Sequence, residues 1–320
     1  MPSYVMLLAP SSNRVYAGAT GELATAELRA TWPDATEVEA VQLAGVDYLA
    51  FDADPEALPT IARQSACFAL FERDDELLRP VELPGVFALD DDIVTIPRYQ
   101  GKTNEQFTQL LLGVTLAAIT REPDGNRQIL DPLAGRGTTI STALRLGHDA
   151  YGVELDEKAF EAMSAFYKTY FRRKRMKHTA DVTAVKRNGR AVGRRFDLRV
   201  NDNQATVFTG DATRSAALFG KKRFDAVVTD APYGVAHGAT AGGEKDRSPA
   251  KLLADAIPVW AGQLKHGGAL GLSWNTFGIA RDDLAAICER AGLTPWPASE
   301  GFAHRVDSSI KRDLFVALKP

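Results

Sequence analysis

The chain has 320 residues, 45% of them hydrophobic and 25% charged, with a net charge of -3. That composition is ordinary for a globular protein, leaves room for one mid-sized domain and a smaller one, and excludes a chain dominated by disorder. Cys67 and Cys288, the two cysteines, match neither a metal-ligand spacing nor a disulfide framework, so a reducing cytoplasm and no bound metal are expected. The longest apolar run, Leu110 to Ile119, falls far short of the roughly 20 residues a membrane span needs. No basic-then-apolar leader opens the chain, so neither export nor membrane anchoring is expected.

Charge is unevenly placed. Lys168 to Arg199 holds 12 Lys and Arg against Asp181 and Asp197, and the remainder of the chain is acidic. A concentrated basic segment suits a polyanion, whose phosphates reward clustered cations by releasing counterions. Arg172, Arg173, Lys174, Arg175 and Lys177, in a helix-like run, are the candidate nucleic-acid contacts. A solvated basic loop is the plainer alternative.

In chain order, Tyr4 to Ala9 reads as a strand and Gly18 to Trp32 as a helix stopped by Pro33. Val38 to Val41 and Tyr48 to Phe51 read as strands, Pro55 to Gln64 as a helix, and Cys67 to Phe71 as a strand. These elements predict a small α/β domain over residues 1 to 95. The acidic stretch from Phe71 to Asp92, with Pro80, Pro84 and Gly85, reads as a surface connection. Asn104 to Ile119 is expected to be a helix. Beyond Pro123-Asp124-Gly125, strand, turn and helix alternate, which predicts a mostly parallel sheet with helices on both faces over residues 96 to 320. Residues 168 to 199 form a basic insertion in it, and Gly238 to Gly243 reads as a mobile loop.

Two constellations carry chemistry. The strand Gln128-Ile129-Leu130 runs into Asp131-Pro132-Leu133-Ala134-Gly135-Arg136-Gly137-Thr138-Thr139, and a helix follows. Glycines let a ligand approach the backbone, and a helix N-terminus offers unpaired N–H groups. Glu154, with Leu155, ends the next strand, where an acid can accept from ribose hydroxyls. Asp211, with Ala212, ends a third, placed to accept from an adenine amino group. The candidate cofactor residues are therefore Asp131, Leu133, Gly135, Gly137, Thr138, Thr139, Glu154, Leu155, Asp211 and Ala212. The three-glycine spacing of dinucleotide folds and the phosphate loop of nucleotide triphosphatases are both missing. Asp131, just before the glycines, favours a cationic sulfonium ligand.

The second constellation is Asp230-Ala231-Pro232-Tyr233-Gly234, delivered at the end of the apolar strand Arg223 to Thr229. In an open α/β sheet that edge is where ligands bind. An exocyclic base amine is a poor nucleophile because its lone pair is delocalised into the ring. The Asp230 carboxylate and the Ala231 carbonyl can accept its two hydrogens, while Tyr233 stacks on the base. Arg305 is a further candidate contact to a phosphate or base, Asn275 a possible strand end facing the site, and His237 an exposed loop residue. Trp260 and Trp274 are expected in the core.

Asp131-Pro132-x-x-Gly135-x-Gly137-Thr138-Thr139 followed by Asp230-x-Pro232-Tyr233-Gly234 resembles the amino-directed methyltransferases that carry a D/N-P-P-Y/F motif. Arg98 to Glu105 and His304 to Asp313 are similar to segments of the tRNA guanosine-N2 methyltransferase family. The resemblance covers residues 95 to 320. It implies a seven-stranded Rossmann-like class I methyltransferase sheet, S-adenosyl-L-methionine as donor, the N2 amine of guanosine in tRNA or other RNA as acceptor, and site roles for Asp230, Pro232 and Tyr233. Ala231 departs from the pattern, which more often has proline; alanine is expected to loosen the turn while preserving the backbone carbonyl. Members of that family usually carry an RNA-binding THUMP domain, whereas residues 1 to 95 are long enough only for a ferredoxin-like module. A DNA adenine-N6 or cytosine-N4 methyltransferase, and an inactive nucleic-acid-binding protein on the same fold, are the alternatives. DNA is the weaker partner because no target-reading domain is recognisable, and nothing in the sequence fixes the oligomeric state.

Overall fold

The computed structural model describes residues 1–11, 13–99, 101–187, 190–232 and 249–320. The N-terminal part contains β1 (Ser3–Leu8), α1 (Arg14–Thr31), β2 (Thr36–Leu43), β3 (Val46–Asp52), α2 (Leu58–Ala62), β4 (Cys67–Asp74) and β5 (Leu77–Val81). These strands form an antiparallel sheet in the order β2-β3-β1-β4-β5. The stretch expected as a surface connection from Phe71 therefore includes a strand, β5, in which Pro80 sits opposite Phe71. Proline is tolerated there because β5 is an edge and its missing N–H is not needed.

Helix α1 starts where Asn13 Oδ1 accepts from Val15 N and Tyr16 N, at 3.0 and 3.1 Å. It is apolar on two sides. Ala24 and Leu28 join the core of the antiparallel sheet, while Tyr16, Leu23 and Ala30 join the larger core beneath the second sheet. Glu27, also buried, accepts from Ser65 N at 3.0 Å and from Ser65 Oγ at 2.6 Å, tying α1 to the turn before β4. Burial pushes its carboxyl up to about 7.

The second sheet is built from β6 (Gln128–Asp131), β7 (Asp149–Glu154), β8 (His178–Arg187), β9 (Arg190–Val200), β10 (Asn203–Thr209), β11 (Phe224–Asp230), β12 (Leu264–Asn275), β13 (Thr294–Pro295), β14 (His304–Arg305) and β15 (Lys311–Leu318). Its order is β13-β15-β12-β11-β6-β7-β10-β9-β8, with β14 paired to β15. The neighbours β10-β7, β7-β6, β6-β11 and β11-β12 are parallel, and β15 and β9 are antiparallel to β12 and β10. This is the doubly wound, Rossmann-like α/β sheet expected. It is wider than the seven strands expected, because the basic segment folds as the hairpin β8–β9 and extends the edge beyond β10, and because β14 adds to β15.

Helices α3 (Asp92–Thr95), α4 (Glu105–Ala117), α5 (Thr138–Arg145), α6 (Glu157–Arg173), α7 (Ser215–Phe219), α8 (Pro249–Gln263) and α9 (Arg281–Arg290) complete the chain. One face of the sheet buries Phe107 and Leu110 of α4, Leu144 of α5 and Phe160 and Tyr167 of α6. The other buries Leu253 and Trp260 of α8 and Leu284 of α9, together with Trp274. Among the described residues no helix is long and apolar enough to cross a membrane.

Two features of the large sheet fix where a ligand can sit. Chain order reverses between β6 and β11: from β6 it leads to β7 and β10 on one side, and from β11 to β12 on the other. The crevice at such a switch point, outside the strands' C-terminal ends, is where open α/β sheets bind ligands. At Gly271, a Cβ would meet the Thr115 hydroxyl and lie 2.8 Å from its Cβ and 2.9 Å from its Cγ2. Glycine thus lets α4 lie against β12, and α4 carries its N-terminus to the crevice.

Gly271→Ala is expected to destabilise the protein by about 2 kcal/mol or more, the range of core overpacking, read as a lower urea midpoint. Glu27 has its folded pKa above its unfolded value, so its carboxyl favours folding most at acid pH and this contribution is lost as pH rises from about 4.5 to about 7. Thermal melts of Glu27→Gln should therefore gain on wild type across that window and run parallel to it above pH 8.

Candidate active site

Asp131 ends β6 and is only 3% exposed. Its Oδ1 accepts from Leu133 N at 3.0 Å and from Thr229 Oγ1 on β11 at 2.7 Å. Burial pushes the carboxyl up to about 6, while the hydroxyls of Thr229 and Thr139, and the Leu133 amide, favour the ionised form. The turn then passes through Gly135 and Gly137, with φ of +53° and +86°. A side chain at Gly135 would project into open space, so the backbone there is approachable, whereas one at Gly137 would meet Met163 and Tyr167 at 3.0 Å. Gly137 N donates to Ala134 O at 2.8 Å, and α5 begins with Thr138 and Thr139.

Glu154 ends β7 and holds this turn: Gly135 N donates to its Oε2 and Asp156 N to its Oε1, both at 2.6 Å. Burial raises its pKa. Each oxygen keeps a second lone pair for a further donor. Leu155 beside it is 57% exposed, an apolar side chain on the sheet's C-terminal edge. Asp211 follows β10, and its Oδ1 accepts from Thr213 N and Oγ1 at 2.8 and 2.7 Å, with Ala212 buried behind it. The structure brings Asp131, Glu154 and Asp211 to consecutive strand ends along one edge.

Across the switch point, Asp230 ends β11. Thr103 Oγ1 donates to its Oδ2 at 2.5 Å, and Ser273 Oγ on β12 donates to its Oδ1. Ala231 N donates to Ser273 O at 2.8 Å. Proline has no N–H to give, so alanine carries the β11–β12 ladder one residue further rather than loosening the turn. Pro232 is exposed. Tyr233 and Gly234 lie outside the described residues, as do His237 and Gly238 to Gly243.

Thr103 and Ser273 are the site residues that residue-by-residue reading missed. Ser273 was reachable from register, since it pairs with Asp230 in the parallel ladder. The segment before α4 also reaches the cofactor side: Tyr99 Oη lies 3.0 Å from Thr138 Oγ1, and Arg136 sits 4.8 Å over the Tyr99 ring. Within five residues this segment touches both halves of the crevice. His304 is buried against Tyr16 and Phe107, ring centroids 5.7 and 5.0 Å away. Its Nδ1 is 2.9 Å from Phe302 O, so Nδ1 carries the proton. Burial lowers its pKa, with the bond to the Phe302 carbonyl acting in the opposite direction.

The basic candidates do not gather there. Helix α6 leaves the site edge and, at 17 residues, runs about 25 Å to the far edge of the sheet. Arg172, Arg173, Lys174, Arg175 and Lys177 are exposed at that far edge, since His178 pairs with Val200 and Val200 with Asn203, the first residue of β10. Lys174 Nζ is moreover bound to Asp90 at 2.8 Å and Asp92 at 2.5 Å. Lys186 and Arg190, flanking the hairpin turn beyond Phe208 and Thr209, are exposed on the site edge instead. Arg305 is exposed and its Nε donates to Asp307 O at 3.1 Å. Asn275 is buried and faces its own turn, with Oδ1 accepting from Phe277 N and Lys311 N.

No family model matches the chain, and no curated protein does. Solved structures similar to it include a 16S rRNA N2 methyltransferase of T. thermophilus in complex with AdoMet and guanosine, at 16% identity and TM-score 0.40 over 92% of this chain and 60% of that one. A putative RNA methyltransferase from Pyrococcus horikoshii is similar at 15% identity and TM-score 0.40, over 74% of this chain and 93% of that one. A TehB-like SAM-dependent methyltransferase from Corynebacterium glutamicum is similar at 15% identity and TM-score 0.37, over 62% and 83%. No residue role transfers at these values.

Asp131→Asn keeps the acceptor facing Leu133 and Thr229 and removes a buried charge. Because the folded pKa lies above the ordinary 3.8, the wild-type carboxyl loses its contribution to stability as pH rises from about 4 to about 6. The variant should be more stable than wild type by on the order of 2 kcal/mol at pH 7 and equal to it near pH 3, a crossover that urea titrations at both pH values would detect.

Proposed function

We propose that the chain is an S-adenosyl-L-methionine-dependent methyltransferase acting on an exocyclic amine of a nucleic-acid base, with N2 of guanosine in tRNA as the acceptor. The observation that carries this is the pair of carboxylates Asp131 and Asp230 at the ends of the neighbouring strands β6 and β11, one on each side of the switch point. On one side, three strand-end acids, an approachable glycine backbone and an exposed leucine fit a ligand with a cationic centre, a ribose and an adenine ring. Asp131, Leu133, Gly135, Gly137, Thr138 and Thr139 would surround its cationic amino-acid portion, Glu154 and Leu155 its ribose and ring, and Asp211 and Ala212 its adenine edge. Bound there, S-adenosyl-L-methionine supplies an electrophilic methyl group.

On the other side, Asp230 does the positioning. Its two oxygens accept from Thr103 and Ser273, which fix the plane of the carboxylate. A carboxylate oxygen accepts more than one hydrogen bond, so an amine hydrogen can join those already made. The Ala231 carbonyl is the second acceptor. Drawing electron density toward the amine nitrogen restores the lone pair that the ring withholds, and the carboxylate can hold the proton the amine gives up. Tyr233 is assigned to stack on the base.

Support for RNA comes from a segment similar to the tRNA guanosine-N2 family, since Thr103 within it bonds Asp230. A base in a loop or single strand reaches such a pocket without the unpairing energy a duplex requires.

The test is transfer of tritiated methyl from S-adenosyl-L-methionine to unmodified bulk tRNA and to plasmid DNA. Label is expected in tRNA, recovered as N2-methylguanosine, and reduced at least roughly 100-fold by Asp230→Ala. Label in DNA alone, or on another nitrogen, would overturn the substrate. In calorimetry, Asp131→Asn should bind S-adenosyl-L-methionine more weakly than wild type although it folds more stably.

A further inference from the structure

Beyond Asp230 the same edge continues into a second recess. Ser273 pairs with Asp230, and Asn275 lies two residues further along β12, roughly 7 Å away. Asn275 then organises a tight turn: its Oδ1 accepts from Phe277 N at 3.2 Å and from Lys311 N at 3.1 Å, and its Nδ2 donates to Ser309 O at 3.0 Å. On that turn Phe277 is 66% exposed. It borders a cleft of about 470 Å³ whose walls include His304, Arg305 and Lys311 on one side and Ala19 and Glu22 of α1 on the other.

An exposed aromatic ring on a turn pinned by three hydrogen bonds loses little entropy on meeting a flat partner. The recess carries two cations, Arg305 and Lys311, against one carboxylate lining it, Glu22. Asp307 near Arg305 has its own carboxylate engaged by Ser309 N and Oγ, at 2.7 and 2.8 Å. Small residues on α1 leave room for a planar group. Charge, ring and shape together fit a nucleotide better than an apolar peptide.

We propose that this cleft holds the nucleotide adjacent to the target in a single-stranded nucleic acid, its base stacked on Phe277 and its phosphate between Arg305 and Lys311. The inference rests on the reading of Asp230 as the base-amine site, because it makes the cleft the neighbouring subsite on one strand. It also gives the chain a way to grip a strand that does not use the far-edge cluster of Arg172 to Lys177.

The experiment is fluorescence anisotropy with a labelled mixed-sequence RNA heptamer, with S-adenosyl-L-methionine binding measured alongside by calorimetry. Phe277→Ala should weaken heptamer binding roughly tenfold and Phe277→Trp should restore it, since base stacking depends on the ring. Lys311→Glu should weaken binding and flatten its salt dependence by at least one ion, and cofactor affinity should stay the same in all three. Heptamer affinity unchanged in Phe277→Ala, or lost equally in Phe277→Trp, would overturn the subsite. So would a wild-type protein that binds a peptide library but no heptamer. Methyl transfer reports separately on the reading of Asp230: loss of transfer in wild type with Phe277-dependent heptamer binding would overturn that reading and leave the subsite standing.

Discussion

The C-terminal edge of the large sheet depends on where β6 and β11 part. Their ladder covers Ala226 opposite Ile129 and Val227 opposite Leu130, and beyond it the Thr229 hydroxyl reaches across to Asp131. A backbone ladder gives way to a side-chain bond at the point where the chain's winding reverses. The acids at the ends of both strands flank that point. Keeping Asp131 buried there opposes folding, and its neighbours are arranged to reduce that cost: an amide and hydroxyls converge on one carboxylate.

Other elements brace this opening from above and from the side. Tyr99 reaches Thr138 and Thr103 reaches Asp230, so residues close together in sequence tie the two walls. These residues are aimed by α4, which rests on Gly271 of β12. Helix α4 is in turn packed against α1, and α1 belongs equally to the core of the small antiparallel sheet. A displacement of the small sheet would therefore be felt at Asp230 through two helices in contact.

What could be read in the sequence was local. The Asp131 to Gly137 turn and the acids Glu154, Asp211 and Asp230 each announce themselves within a few residues, because a strand end, a glycine and an acid are consecutive. Thr103 and Ser273 do not, since their meaning lies in hydrogen bonds to a residue 127 and 43 positions away. Proline in β5 looked like a breaker only because an edge position cannot be recognised before the sheet order is known. The basic segment shows a different limit. A count of charges has no direction, and a helix followed by a hairpin delivered some of those charges to one end of the sheet and some to the other.

That hairpin has a further effect on the molecule as a body in solution. One margin of the large sheet closes in β13, a strand of two residues, while the other ends in β8, a strand of ten. A long outer strand presents a row of unused amides and carbonyls to any other extended chain. Asp181 and Lys186 stand exposed along it, with Arg190 and Arg195 beside them on β9. Another strand pairing there would have to desolvate these charges, a cost that works against the margin acting as a template.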